Sequence, residues 1–208
     1  MYNYIIFDVD GTMIDTEGAV LKSYQEIVFE EFGKKVSEEE LSALYGVPSL
    51  PSLEKLGIKD LDKAYKRYFE ILSGYFIEGV ELFDGISDLL DELRRRNIPC
   101  SIVTSRNGEE VAKDATLQKL MHYFEIIIST DDTDKHKPEP DPILKLIELS
   151  GKDPSKMLYV GDTLYDCMCA NSAGVKFALA SWGAKQPENI KADYVLGNPS
   201  DLLALVSQ

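Results

Sequence analysis

The chain has 208 residues, 44% of them hydrophobic and 28% charged, which is enough apolar material for one core carrying an inserted subdomain. With 22 lysines and arginines against 36 aspartates and glutamates, its formal charge is −14. This excess of acid argues against nucleic acid or an anionic membrane surface as the main partner, since both bind through clusters of cations. The three cysteines lack zinc-ligand spacing, so we expect them to be reduced and buried, and we exclude a disulfide scaffold.

No apolar run approaches the roughly 20 residues that a membrane-spanning helix needs. The N-terminal run from Met1 to Asp10 has neither a basic start nor a small-residue cleavage site. We therefore expect a cytoplasmic protein that acts on a small molecule as a monomer or homodimer.

Short apolar runs along the chain predict a parallel sheet that is buried on both faces. The predicted strands are Tyr4–Phe7, Ser101–Thr104, Glu125–Ser129, Met157–Gly161 and, more weakly patterned, Val175–Leu179. Between or beside them lie helical patterns at Ile86–Arg96, Glu109–Leu120, Pro142–Leu149 and Leu164–Ala173. Strands alternating with helices indicate an α/β fold with a Rossmann-like parallel sheet.

One stretch, from Thr16 to about Phe83, interrupts this alternation because its pattern is helical throughout. Its predicted helices are Ala19–Phe32, Ser37–Leu44, which begins with a Ser37/Glu40 capping box, and Leu61–Leu72. We predict a core domain from residues 1–15 and 80–208, and a helical cap domain from residues 16–79.

Polar groups of complementary kinds follow four of the predicted strands. They are Asp8-Val9-Asp10-Gly11-Thr12, Thr104-Ser105-Arg106-Asn107, Lys135-His136-Lys137-Pro138, and Gly161-Asp162-Thr163 with Asp166 one helical turn further on. In an open parallel sheet ligands bind beyond the carboxyl ends of the strands, so we expect these groups to form one active site.

Asp8 and Asp162, together with a backbone carbonyl, offer the hard oxygen ligands that Mg²⁺ prefers. With the ion bound, a phosphate monoester can enter an otherwise acidic site and Asp8 can attack phosphorus. Asp10 can then protonate the leaving oxygen, which requires a pKa raised above the ordinary aspartate range. Thr104 and Lys137 can stabilise the phosphoryl oxygens, and Asp166 can orient Lys137 or a metal-bound water.

These strings resemble the haloacid dehalogenase superfamily in its phosphatase branch, subfamily I, which includes phosphoglycolate phosphatases and β-phosphoglucomutases. The resemblance spans the chain and implies that Asp8 is the nucleophile and Asp10 the general acid and then base. It also implies that Thr104, or Ser105 beside it, and Lys137 bind phosphate. Mg²⁺ is implied to be held by Asp8, the Asp10 carbonyl and Asp162, with Asp166 ligating or supporting.

The resemblance also bears on the reaction. Family members that release halide or cleave phosphonates lack an acid at the place of Asp10, so Asp10 favours phosphoryl chemistry. The mutases carry an arginine shortly after the glycine of a cap specificity loop, here Gly46-Val47-Pro48. Ser49 and Leu50 follow in this chain, which disfavours a mutase. A phosphatase acting on a small phosphomonoester is predicted, with a phosphosugar mutase or a phosphorylated signalling module as alternatives.

Two assignments stay open at this point. Lys135 lies two residues from Lys137 and is the other candidate for the phosphate-binding lysine. Arg106 and Asn107 either contact substrate or cap the following helix.

Overall fold

The structure, a computed structural model, describes residues 1–45, 47 and 49–207. The predicted loop residues Gly46 and Pro48 lie outside this described part. Six strands form one sheet in the order β3-β2-β1-β4-β5-β6, and every neighbouring pair is parallel. The strands are β1 Tyr4–Phe7, β2 Cys100–Val103, β3 Phe124–Ile128, β4 Met157–Gly161, β5 Lys176–Ala180 and β6 Tyr194–Leu196.

Helices cover both faces of the sheet. They are α5 Ile86–Arg95, α6 Gly108–Lys113, α7 Ala115–Leu120, α8 Asp141–Ser150 and α9 Leu164–Ser172. Alternate residues of β1 enter different hydrophobic clusters: Ile5 and Phe7 pack with α5, while Tyr4 and Ile6 pack with α8 and α9. This two-sided burial explains why β1 is a continuous apolar run, and it confirms the predicted α/β sheet.

The segment between β1 and α5 is helical, as predicted. It contains α1 Glu17–Phe32, α2 Glu38–Leu41, α3 Ser49–Lys55 and α4 Leu61–Glu78. The Ser37/Glu40 capping box is present at the start of α2. These helices have a hydrophobic cluster of their own, and the two connections to the sheet run side by side, joined by the amide of Asp15 donating to the carbonyl of Glu81.

The structure differs from the sequence prediction in three places. The strand β6 was not predicted, because it has only three residues and Val195 at its centre is 64% exposed. The helix α3 is not among the predicted helices; Pro51 lies in its first turn, where a proline is tolerated. The predicted helix Glu109–Leu120 is two helices, separated at Asp114, whose backbone is extended.

The three cysteines are free and buried, as expected. Within the described residues, no helix combines the length and the apolar character needed to cross a bilayer.

Candidate active site

The predicted site residues meet at the carboxyl end of the sheet, where β1 lies between β2 and β4. From β1 the chain adds β2 and β3 on one side and then β4, β5 and β6 on the other, so the strand order reverses here. Open α/β sheets bind ligands at such a reversal. A cavity of about 510 Å³ opens here between the sheet and helices α1, α3 and α4. Its sheet side includes Asp8, Asp10, Lys137, Asp162 and Asp166.

Asp8, directly after β1, is buried and paired with Lys137. The Lys137 ammonium nitrogen lies 2.6 Å from Asp8 Oδ1 and 2.7 Å from Asp166 Oδ1, and its side chain is 5% exposed. Burial and the nearby carboxylates of Asp166 and Asp10 raise the pKa of Asp8, while Lys137 acts in the opposite direction. Lys135 is exposed, so the structure favours Lys137 as the lysine of the site.

Asp166, in the first turn of α9, is held on both carboxylate oxygens. Its Oδ1 accepts hydrogen bonds from Lys137 and from the hydroxyl of Tyr159, at 2.7 and 2.8 Å. Its Oδ2 accepts from the amide and the hydroxyl of Thr163 in a capping box. Burial by itself raises the pKa of Asp166, but Lys137 and these hydrogen bonds outweigh it and lower the pKa. Asp166 is therefore well placed to fix the position of Lys137.

Asp162, directly after β4, completes a group of three buried acids. One carboxylate oxygen from each of Asp8, Asp162 and Asp166 lies within 4.8 Å of the others. Burial, and then the carboxylates of Asp166 and Asp8, raise the pKa of Asp162 well above its ordinary value. Three acids sharing one lysine leave an excess of negative charge, and oxygen ligands at this spacing fit a small divalent cation.

Gly11 permits the close approach of Asp162 to the turn after β1. Gly11 has φ of +75°, and a Cβ there would lie 2.2 Å from Asp162 Oδ2. The hydroxyl of Thr12 in the same turn donates to Asp162 Oδ1 at 3.2 Å. The turn therefore joins β1 and β4 around the three acids.

Asp10 does not have the raised pKa that the sequence led us to expect. Its two carboxylate oxygens accept hydrogen bonds from Arg106 Nε and Nη2, at 2.9 and 2.7 Å. Burial by itself raises the pKa of Asp10, but the bidentate pair with Arg106, helped by Thr16, outweighs it and lowers the pKa. The expectation of a raised pKa is therefore wrong for this arrangement, because it left out the partner that the fold supplies.

Arg106 is itself fixed from two further sides. Its Nη1 lies 2.6 Å from a carboxylate oxygen of Asp114, which is fully buried and also caps α7. The guanidinium carbon lies 4.0 Å from the ring centroid of Phe76, a residue of α4. Arg106 therefore links Asp10 to the helical segment and is 4% exposed.

The remaining predicted residues divide into those that line the cavity and those that do not. Ser105 is exposed and lines the cavity, whereas Thr104 is 3% exposed and is not among the lining residues that the structure describes. The Thr104 hydroxyl oxygen accepts from the amide of Arg106 at 3.2 Å. Asn107 caps α6, accepting from the amide of Glu110, and also lines the cavity.

Sequence reasoning missed three residues that hold or border the site. Tyr159 lies inside β4, where a tyrosine usually indicates packing, yet its hydroxyl contacts both Lys137 and Asp166. Asp114 was read as a helix interior, although an aspartate before Ala-Thr-Leu is a capping signal. Glu110 lines the cavity, and burial raises its pKa to about 7.

Comparisons with known proteins agree with this geometry. Residues 5–180 match the model of the haloacid dehalogenase-like hydrolase family. A relative named "Putative pyrophosphatase PpaX", from Caldanaerobacter subterraneus, is 31% identical over 205 residues, covering 97% of this chain and 93% of that protein. "Pyrophosphatase PpaX" of Bacillus mycoides is 28% identical, with coverage of 99% and 97%.

A solved structure from Lactobacillus plantarum, described as a "putative phosphoglycolate phosphatase", is similar to this chain with a TM-score of 0.89 and 28% identity. The similarity covers 99% of this chain and 100% of that one. The resemblance predicted from the motifs is thus confirmed, and the chain belongs to the haloacid dehalogenase-like hydrolases.

Proposed function

We propose that the chain is a Mg²⁺-dependent phosphatase that hydrolyses a small phosphomonoester through a phosphoryl group carried on Asp8. The observation that carries the proposal is the buried group of Asp8, Lys137, Asp162 and Asp166 at one end of the cavity. The names of the relatives, pyrophosphatase and phosphoglycolate phosphatase, both describe a hydrolysis at phosphorus, and the second describes a phosphomonoester.

In the first step, an Asp8 oxygen forms a bond to phosphorus and the bond from phosphorus to the ester oxygen breaks. The leaving oxygen takes a proton from Asp10. In the second step, water attacks the phosphorus and gives a proton to Asp10. The bond between phosphorus and the Asp8 oxygen breaks, which releases phosphate and restores Asp8 as a carboxylate. The ion pair with Arg106 fits the base role of Asp10, and the acid role requires Asp10 to take up a proton away from Arg106.

Bound Mg²⁺ would neutralise the acids and the incoming phosphate. Asp8, Asp162 and the Asp10 carbonyl would hold it, with Asp166 supporting Lys137 from behind. Lys137 offsets charge shared by Asp8 and the phosphoryl oxygens, and Ser105 or Thr104 donates a hydroxyl to those oxygens.

The helical segment 16–79 is proposed as a cap domain that selects the substrate, and residues 1–15 with 80–208 as the catalytic domain. The mutase alternative has no support from the cavity, because no described residue of segment 16–79 that lines it is an arginine or lysine. A mutase would need a cation there to hold the second phosphate of a bisphosphorylated intermediate.

The test measures phosphate release from p-nitrophenyl phosphate after EDTA treatment, with and without added Mg²⁺. We expect turnover only with Mg²⁺, and a phosphoryl group on the peptide carrying Asp8 after rapid quenching, detected by borohydride trapping and mass spectrometry. Full turnover in EDTA, or an Asp8 that is never modified, contradicts the proposal. Conversion of β-glucose 1-phosphate into glucose 6-phosphate without free phosphate would show a mutase instead.

A further inference from the structure

The wall of the cavity opposite Asp8, Lys137 and Asp162 comes from the helical segment, and its described residues carry no charge. Every described residue of segment 16–79 that lines the cavity is apolar, a tyrosine, or a serine or threonine. Its aromatic members are Tyr24, Tyr45, Tyr65, Tyr68 and Phe76. Burial raises the pKa of Tyr45, Tyr65 and Tyr68 further above neutrality, so these rings stay uncharged.

The cations on the opposite wall are already paired. Lys137 lies between Asp8 and Asp166, and Arg106 between Asp10 and Asp114, all at 2.6 to 2.7 Å. The other basic group that lines the cavity is the imidazole of His136, which is exposed and follows β3. Among the described lining residues, no lysine or arginine is left to face a second anionic group on the substrate.

Apart from the exposed imidazole of His136, the described lining therefore offers no unpaired basic group to a second anion, which would also face Asp10 and Glu110. Moving a charge out of water without a partner is strongly unfavourable. Phosphoglycolate carries a carboxylate at that place and pyrophosphate a second phosphate, so both fit this wall poorly.

Resting on the proposed function, we infer that the preferred substrate is the phosphomonoester of an uncharged alcohol that bears a flat ring. Tyr24 and Tyr68 are buried and stack on each other, with ring centroids 4.7 Å apart, and Arg106 lies over the Phe76 ring. The ring that remains accessible is chiefly that of Tyr65, 36% exposed, with half-buried Tyr45 also lining the cavity. A tyrosine offers a π face for stacking and a hydroxyl for hydrogen bonds, and this chemistry suits an aryl alcohol or a nucleoside. A cavity of about 510 Å³ also exceeds what a two-carbon acid or a second phosphate would fill.

The test compares kcat/KM of the whole chain with Mg²⁺ for 2-phenylethyl phosphate, ethyl phosphate, a nucleoside 5′-monophosphate, phosphoglycolate and pyrophosphate. The first two share a primary alkoxide leaving group, so their ratio reports binding of the ring rather than intrinsic reactivity. We expect the ring to raise kcat/KM about tenfold, and phosphoglycolate and pyrophosphate to fall below ethyl phosphate. The nucleotide arm distinguishes a nucleoside from a simple aryl group.

A binding measurement keeps this inference separate from the proposed function. Calorimetry with 2-phenylethylphosphonate, ethylphosphonate and phosphonoacetate, none of which is a cleavable ester, is expected to give the ring compound the tightest binding. If no ester is hydrolysed but this order holds, the proposed function fails, and what stands is the preference of the cavity for a ring-bearing phosphoryl ligand. If hydrolysis occurs but pyrophosphate or phosphoglycolate is the best substrate, or the ring adds nothing, the substrate class is overturned and the phosphatase stands.

Substitutions on the helical wall test which residues bind the ring of the substrate. Tyr65→Ala is expected to bring the ratio of 2-phenylethyl to ethyl phosphate towards one. Phe29→Ala removes an aromatic ring of α1 that is 53% exposed and does not line the cavity, so it should keep the parent ratio. Leu50→Arg places a cation on the wall and should raise kcat/KM for phosphoglycolate relative to ethyl phosphate about fivefold; no gain there would contradict the charge argument.

Discussion

The two walls of the cavity differ in charge: the sheet side carries paired ions, and the helical side carries none among its described residues. On the sheet side, Lys137 and Arg106 each contact two carboxylates, and both cations are buried. The helical side is uncharged and largely aromatic. Under the proposed function, the fixed charges of the sheet side carry out the reaction, and the shape and missing charges of the helical side select the substrate.

Asp8→Asn gives the largest expected effect, since it removes the proposed nucleophile and leaves the helical wall intact. Loss of the covalent nucleophile lowers kcat by roughly 10⁶-fold in a serine protease, and we expect a loss of that order here. Phosphate release under saturating substrate measures it, with Asp88→Asn, an exposed acid of α5, as the control. An Asp8→Asn protein with parental kcat would refute the assignment of the charged wall to chemistry.

Lys137→Met is expected to lower kcat by about 10²- to 10³-fold. It also leaves the buried carboxylates of Asp8 and Asp166 without their shared cation, so urea unfolding in EDTA should show a loss of about 3 kcal/mol. Lys135→Met is the matched control, because Lys135 is exposed two residues away. Equal losses in both variants would count against the assigned lysine.

Arg106 contacts Asp10 on the sheet side and Phe76 on the helical side, and Arg106→Met tests whether it positions Asp10. We expect kcat to fall about 10²-fold, since a small misplacement of a catalytic group has effects of this size, with a smaller change in KM. Asp114→Asn should have a lesser effect, because it loosens Arg106 without removing it, and Arg106→Lys should recover part of kcat. A loss confined to KM would instead indicate that Arg106 binds substrate directly.

Glu110→Gln gives the smallest effect and concerns stability. Burial, together with the charges of Asp10 and Asp131, raises the pKa of Glu110 from 4.5 to about 7. The hydrogen bond from the Asn107 amide and the charge of Arg106 lower the pKa, but by less. The folded protein thus holds this proton more tightly than the unfolded chain, and the stability it contributes below pH 4.5 is lost as pH rises through 7.

At pH 8 the Glu110→Gln variant should therefore be more stable than the parent by about 1 kcal/mol, after allowance for solvent screening. At pH 4 the two should be equal. Urea unfolding at both values measures the difference, and Glu109→Gln, an exposed neighbour, is the control. A variant that gains the same stability at both pH values would contradict a titrating Glu110.

Local sequence predicted the elements that are long or strictly patterned, and it was wrong where tertiary contacts overrule local signals. The run Tyr4–Phe7 is apolar at every position because both faces of β1 are covered, so its prediction needed no partner. The break at Asp114 was missed because the helical pattern continues on both sides, and the local capping signal of the aspartate is weaker than that pattern. Asp114 turns the chain there while pairing with Arg106, a contact that exists only in the folded protein.

The chain alone predicts the residue types of the candidate site and the strand ends from which they come, because the carboxyl ends of parallel strands share one edge of a sheet. The pairing of each cation with its carboxylates depends on the folded arrangement of the strands and loops. Arg106 lowers the pKa of Asp10 from a position 96 residues away, and Tyr159 turns its hydroxyl into the site from inside a strand. Such pairings depend on distances of a few ångströms between segments remote in the chain, and local spacing does not encode those distances.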